Sequence, residues 1–322
     1  KIIASIRDSM FENAEALARL AHAETGLGRV EDKIVKNRLV TRKTSGTEVL
    51  TPHAVTGDNG LTLTEYAPYG VIGAITPTTN PTSTIICNTI AMVAAGNSIV
   101  FNVHPNAREC SMANVRLIHA AITRAGGPAN LVTAVATPTI ESAQELMSHK
   151  GVRLLAVTGG SGVVRQAMTS GKRAICAGPG NPPVVVDATA DLDHAARSIV
   201  AGASFDNNIV CVDEKEVIAV ESIVDDLLQR MGQHGARVLT ESELHKVTNV
   251  IFTEYPGRRQ RAPLQKDLIG KNASEILARA GIASHGDPRL LVVRTTNGHP
   301  LVWTEQMMPV LTLTAVPDVD RA

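Results

Sequence analysis

Apolar runs of strand length alternate with amphipathic stretches through most of the chain. Val71-Ile72-Gly73-Ala74-Ile75-Thr76 predicts a strand, and helical spacing over 81–95 follows it behind a proline suited to a first helical turn. Ser98-Ile99-Val100-Phe101 predicts a second strand, ending at Asn102-Val103-His104-Pro105-Asn106, and a helix over 109–125 stops at Gly126-Gly127-Pro128. A third strand is expected at 131–136, a short helix at 140–148, and a fourth strand at 154–157 that runs into Thr158-Gly159-Gly160 and a helix over 163–168. This alternation requires a parallel sheet with right-handed crossovers. The four units predict a doubly wound, dinucleotide-type sheet, with residues 76–80, 102–106 and 158–160 lining one crevice beyond the carboxyl ends of its strands. A helix from Asp191 to about residue 201, then a second β/α set at 216–220, 223–232, 289–294 and 309–316, predicts another domain. An amphipathic helix opens the chain and ends near Gly26-Leu27-Gly28, and the charged, Gly/Pro/Arg-rich stretch 254–271 reads as a surface excursion.

Length agrees with two domains. The chain has 322 residues, and about 100–200 residues make one domain; the division expected is 1–200 and 201–322. Lys+Arg and Asp+Glu both number 31, so the formal net charge is zero and no basic stripe is available to hold phosphates. Aromatic residues, at 2%, offer little for bases to stack on, which excludes nucleic acid as a partner. Cys87, Cys110, Cys176 and Cys211 form no C-x-x-C pair, which argues against a disulfide framework or a structural zinc site and implies a reducing, cytoplasmic setting. The histidines form no metal-ligand cluster, so no metal is expected. The longest apolar stretch, 85–103, is broken by Asn88, Gly96 and Asn97, so no membrane span is expected. No signal peptide opens the chain, and a start inside a helix reads as a fragment.

The most informative residue is Cys211, in the run Gly202-Ala203-Ser204-Phe205-Asp206-Asn207-Asn208-Ile209-Val210-Cys211-Val212-Asp213-Glu214-Lys215. A free cysteine is most often buried and inert, but a thiol on a Gly/Asn-rich loop before a strand can be presented to a cleft. Its company decides between these readings. Pro77-Thr78-Thr79-Asn80-Pro81, His104-Pro105, Thr158-Gly159-Gly160, Gly178-Pro179-Gly180-Asn181-Pro182-Pro183, the Ser204 to Cys211 run and Glu305-Gln306-Met307-Met308-Pro309 occur in an order that resembles the aldehyde dehydrogenase superfamily. Within it the chain is similar to the CoA-acylating branch, the propionaldehyde and acetaldehyde dehydrogenases of bacterial microcompartments.

The resemblance implies an α/β, aldehyde dehydrogenase-like fold: a doubly wound Rossmann-type cofactor domain, an α/β catalytic domain, and an oligomerisation hairpin starting within 48–67. It makes Cys211 the nucleophile, which agrees with the reactivity of a thiolate toward a carbonyl carbon, and gives Asn80 and the Cys211 N–H to the oxyanion. Taken alone, Asn80 is a turn residue before Pro81. The resemblance assigns Thr76, Pro77, Thr78, His104, Pro105, Thr158, Gly159, Gly160, Val163, Gly178 and Glu305 to binding NAD. Gly159 and Gly160 would let backbone N–H groups and a helix start face the pyrophosphate, and Glu305 would hold the nicotinamide ribose. In isolation these are an ordinary strand–helix turn and a charge beside an apolar strand. Many superfamily members carry Lys at the Asn102 position and Glu at the Pro105 position; both are absent here, which leaves NAD against NADP open. Cys176 is the second thiol in rank, with Cys87 and Cys110 as packing residues.

Hydrolytic members of the superfamily place a water-activating Glu 34 positions before the nucleophile, and here that position is Ala177. A methyl group accepts no proton, so the thiol of coenzyme A becomes the expected second substrate; Asp206 and Asp213 are the carboxylates that could substitute. The resulting expectation is a CoA-acylating oxidation of a short-chain aldehyde such as propanal or acetaldehyde. A homo-oligomer is expected, in the cytoplasm or inside a bacterial microcompartment with its shell as a partner. The alternatives are a hydrolytic aldehyde dehydrogenase, the aldehyde dehydrogenase half of a bifunctional aldehyde-alcohol dehydrogenase, and a non-catalytic truncated fragment, since the family continues beyond both ends of this sequence.

Overall fold

The computed structural model describes residues 1–255, 257–284 and 286–322. The chain forms two compact units, one of residues 1–25 and 30–178, the other of 26–29 and 179–322.

In the first unit, α1 (Ile2–Glu12), α2 (Ala14–Thr25) and α3 (Val30–Lys43) come first. The single opening helix expected from the sequence is therefore two helices; they part at Asn13, whose side chain donates back to the Ser9 carbonyl at 2.8 Å. α3 has an inverted pattern that the sequence does not betray: Asp32, Lys33, Lys36, Asn37 and Thr41 are buried while Val35 and Leu39 are exposed. β1 (His53–Gly57) and β2 (Gly60–Thr64) make an antiparallel hairpin within 48–67, with Val55, Leu61 and Leu63 exposed.

Then follow β3 (Val71–Ile75), α4 (Pro81–Ala94), β4 (Ser98–Asn102), α5 (Arg108–Arg124), β5 (Val132–Ala134), α6 (Ile140–Ser148), β6 (Leu154–Thr158), α7 (Ser161–Met168) and β7 (Arg173–Ala177). The five strands form a parallel sheet in the order β5-β4-β3-β6-β7. One core joins Ile6 and Met10 of α1 to Ile86, Ile90, Phe101 and Ile118; a smaller one holds Leu146, Met147, Leu155, Val157 and Ala167. β7 is an edge strand with alternate residues exposed, and its Arg173 and two alanines lack the apolar run that marks the inner strands.

The second unit contains β8 (Pro183–Val186), α8 (Leu192–Ala203), β9 (Glu216–Val220), α9 (Val224–Gln233), β10 (Ala236–Val238), α10 (Glu241–Ile251), α11 (Ala273–Arg279), β11 (Leu290–Thr295), α12 (Pro300–Trp303) and β12 (Val310–Val316). Its sheet, also parallel, has the order β10-β11-β12-β9-β8. β8 pairs with β9, Val184 opposite Val217, within the unit that holds residues 26–29 and 179–322. The stretch 254–271 is more than a surface excursion: Ala262 and Leu268 are buried in a core with Val247, Ile251 and Ile276, while Pro256 lies outside the described residues. Among the described residues no helix is long and apolar enough to cross a membrane.

Candidate active site

The carboxyl ends of β3, β4 and β6 are held level by the sheet register, with Ile75 opposite both Asn102 and Val157. The chain runs from β3 outward to β4 and β5, and from β6 outward the other way to β7, so the order reverses between β3 and β6. This is the switch point at which such sheets bind ligands. The structure therefore brings together the loop of Thr76, Pro77, Thr78 and Asn80 after β3, His104 and Pro105 after β4, and Thr158, Gly159 and Gly160 after β6.

Several features of this edge fit a nucleotide. The Thr76 hydroxyl is buried with no hydrogen-bond partner. Gly160 starts α7 without a side-chain cap, and a Cβ there would meet no protein atom within 4 Å. At Gly159 a Cβ would come within 2.7 Å of Val163 Cγ1, so glycine is needed for helix and strand to close up. Gly178 follows β7, and a Cβ there would touch Val164 at an ordinary 3.8 Å. Burial pushes the His104 ring pKa down, and its Nδ1 accepts from the Asn106 N–H at 3.1 Å. Asn102 is turned into the cap of α6, accepting from Ser142 Oγ at 2.6 Å. Asn80 stands at the N-cap of α4, and its side chain makes no capping hydrogen bond there.

The second unit carries Cys211 on a loop whose backbone is tightly determined. Asp206, Asn207 and Asn208 have φ of 48°, 54° and 61°, three consecutive left-handed residues without a glycine. Each such residue costs about 1–2 kcal/mol unless its side chain bonds locally. Here every side chain is engaged. Asp206 Oδ1 accepts from the Arg29 N–H at 2.8 Å, and Asn207 Nδ2 donates to the Gly270 carbonyl at 2.8 Å. Asn208 Nδ2 donates to the carbonyls of Ala203 and Glu214. Lys215, fully buried, donates from Nζ to the Asn208 carbonyl and side chain, both at 2.5 Å, and to the Val210 carbonyl at 3.1 Å. Gly180 packs against the same loop so closely that a Cβ would lie 2.5 Å from the Cys211 carbonyl oxygen.

Cys211 is half-buried. Burial pushes its thiol pKa up, and the Glu305 carboxylate adds to this; its own backbone N–H and the Lys215 charge act in the opposite sense. Burial also raises the Glu305 carboxyl, against Lys215, the Gly180 N–H and Arg261. Glu305 lines a cavity of about 380 Å³ with Gly180, Asn181, Arg261, Lys266 and Met307. Asp206 is committed to the Arg29 N–H, while Asp213 is buried close enough to act electrostatically on Cys211. Ala177, the last residue of β7, has no ionisable group.

The remaining thiols are Cys87 and Cys176, both half-buried, and Cys110, buried and pushed up to about 12 by burial and by Glu24. His285 lies outside the described residues, and among the described residues no group of three or more His, Cys, Asp or Glu could hold a metal ion. The sequence pattern does not single out Lys36 or Lys215 as buried. For Lys215 the available signal was charge, Glu214-Lys215-Glu216, at the start of a strand that otherwise reads Val-Ile-Ala-Val.

A doubly wound parallel sheet in one unit and a loop-borne cysteine in the other define a class of α/β proteins. Within it, the aldehyde dehydrogenase family profile matches residues 1–322, and the chain belongs to that family. It is 49% identical over 322 residues to the acetaldehyde dehydrogenase (acetylating) EutE of Escherichia coli strain K12, covering 99% of this chain and 68% of that protein. A propionaldehyde dehydrogenase from the Clostridium phytofermentans fucose utilisation bacterial microcompartment matches with a TM-score of 0.93 and 46% identity, covering 100% of this chain and 72% of that one. The propionaldehyde dehydrogenase of Rhodopseudomonas palustris, solved with bound CoA and an acylated cysteine, matches with a TM-score of 0.92 and 45% identity over 99% of this chain and 72% of that one.

Proposed function

We propose that this chain oxidises a short-chain aldehyde such as propanal or acetaldehyde to its acyl-CoA, with NAD as the hydride acceptor. The observation that carries the CoA requirement is Ala177, a methyl group where hydrolytic relatives hold the base that activates water. Relatives named as acetylating and a neighbour solved with CoA and an acylated cysteine support the same reading.

In this reading the first unit binds the dinucleotide through Thr76, Pro77, Thr78, His104, Pro105, Thr158, Gly159, Gly160, Val163 and Gly178, and Glu305 holds the nicotinamide ribose. A bound nicotinamide accepts the hydride. The thiolate of Cys211 forms a bond to the aldehyde carbon, and the carbonyl oxygen takes the negative charge. Asn80 Nδ2 and the Cys211 N–H donate to that oxygen; removing one such donor typically costs about 2.7–4 kcal/mol. As the C–O double bond re-forms, the C–H electron pair leaves and a thioester remains on Cys211. Attack by the CoA thiolate at the acyl carbon then breaks the bond to Cys211 and returns its thiolate. The hairpin β1–β2, with its exposed Leu61 and Leu63, supports a homo-oligomer, and the microcompartment neighbour supports residence within such a shell.

The test is staged addition. The protein is mixed with propanal and NAD, NADH is followed by absorbance, and CoA is added after the first phase ends. At most one NADH per chain, then steady turnover on adding CoA, is the expected result. Continuous turnover before CoA would overturn the Ala177 argument in favour of hydrolysis.

A further inference from the structure

The carboxyl of Glu216 ties together two segments that meet at Glu305. Glu216 opens β9 and is 5% exposed; its neighbour on β12, the fully buried Thr312, donates to Oε2. Asn181 Nδ2 donates to the Val302 carbonyl at 2.9 Å and lies 3.5 Å from Glu216 Oε1. Gln306, also fully buried, donates from Nε2 to the Leu301 carbonyl at 2.5 Å, and its side chain hydrogen-bonds to Glu216. Both amides present their nitrogens to acceptors, which settles their orientation. Asn181 Oδ1 and Gln306 Oε1 are left buried with no hydrogen-bond partner, a cost each side chain bears while its nitrogen stays on the side of the carboxyl.

The residues beside these two amides form the edge of the Glu305 cavity. Gly180, one residue before Asn181, packs against the Cys211 carbonyl, and its N–H hydrogen-bonds to the Glu305 carboxyl. Glu305 itself sits between two buried anchors: Thr304, whose Oγ1 accepts from the Ala262 N–H at 3.0 Å, and Gln306. Met307, next along, has a φ of 50°, a left-handed conformation that persists only where its surroundings hold it. Glu216 is therefore one residue removed from both partners of the Gly180–Glu305 bond. A buried polar network needs a reason where apolar contacts would serve, because each member must find a partner or bear the cost of burial. Here the segments it joins carry Gly180, Asn181, Glu305 and Met307 to the lining of one cavity.

We propose that Glu216 is a positioning residue for the cofactor: by joining Asn181 to Gln306 it fixes the Glu305 carboxylate for the ribose hydroxyls. With the Gln306 anchor on one side and the Gly180 N–H on the other, the carboxylate is set before the cofactor arrives, and binding carries no cost of ordering it. This rests on the reading that Glu305 holds the nicotinamide ribose.

A double-mutant cycle on NADH affinity, read by fluorescence titration, tests both layers. ADP, which lacks the nicotinamide ribose, is titrated in competition; a loss of folded protein would weaken both ligands alike. Glu305→Gln should weaken NADH about tenfold or more, the scale of a lost hydrogen bond to a charged group. Glu216→Leu should weaken NADH about fivefold, the scale of one net hydrogen bond, and leave ADP within about twofold of the parent. In the Glu305→Gln background it should add less than about twofold, because Glu216 acts on the cofactor through Glu305. An equal weakening by Glu216→Leu with and without Glu305 would overturn the proposal, as would an unchanged NADH affinity or an equal loss of ADP. If Glu305→Gln binds NADH as tightly as the parent, the ribose assignment itself falls, and the Glu216 proposal with it. Should Glu216→Leu fail to fold, Gln306→Met, which removes the arm next to Glu305, carries the same cycle.

Discussion

Each functional side chain draws its properties from a few neighbours. For Cys211, burial and Glu305 oppose the thiolate, while Lys215 and the residue's own N–H favour it. In Glu305→Gln the midpoint of the pH profile for iodoacetamide alkylation of Cys211 should therefore move to lower pH, and in Lys215→Met to higher pH. Opposite movements would refute this account of the thiol, and mass spectrometry of the modified protein reads them directly. At this scale the sequence was informative wherever chemistry lay in the residue type itself. A thiol on an Asn-rich loop and a methyl at position 177 carry their meaning in one letter. A lysine does not: Lys36 and Lys215 look like surface charge until their partners are known, because burial of a charged group is a property of what surrounds it.

Among the elements, the three left-handed residues before Cys211 are the most demanding. Asn207→Ala removes the bonds to Gly270, Asn272 and Arg29 and also puts a Cβ without local compensation at φ 54°. Asn207→Gly loses the same bonds but keeps the backbone at ease. The alanine variant should be less stable than the glycine variant by about 1 kcal/mol, measured from denaturant midpoints. If the two are equally stable, the conformational cost plays no part. Inner strands such as β3, β6 and β9 were legible because both faces are covered and the apolar run is continuous. β7, with one covered face and Arg173 at its start, gave no such run, and α3 hid behind a pattern facing the opposite way. α10 carries a sequence signal of its own, the Thr240/Glu243 capping box.

At the scale of the whole molecule, stability should depend on pH through Glu216. This carboxyl is buried where β9 meets β12, accepts from Thr312 Oγ1, and is raised by burial from about 4.5 to about 8. The native state keeps its proton between those values while the unfolded chain has released it. Stability therefore falls as pH rises from about 4.5 to about 8, and is level above that with respect to this group. Glu216→Gln should remove that slope and melt at higher temperature than the parent at pH 8; an unchanged slope in a pH series of melts would rule Glu216 out. The two-sheet architecture was readable from the alternation of strands and helices, but β8 was not, since it is recognised only by its pairing with β9. The uncapped start of α4 bears on how such a protein would respond to selection for heat tolerance alone. Asp or Ser at position 80 could turn to the open helix end, where a good cap is worth about 0.5–2 kcal/mol. A screen that rewards survival at high temperature would collect those substitutions and, with each one, give up the amide proposed as an oxyanion donor.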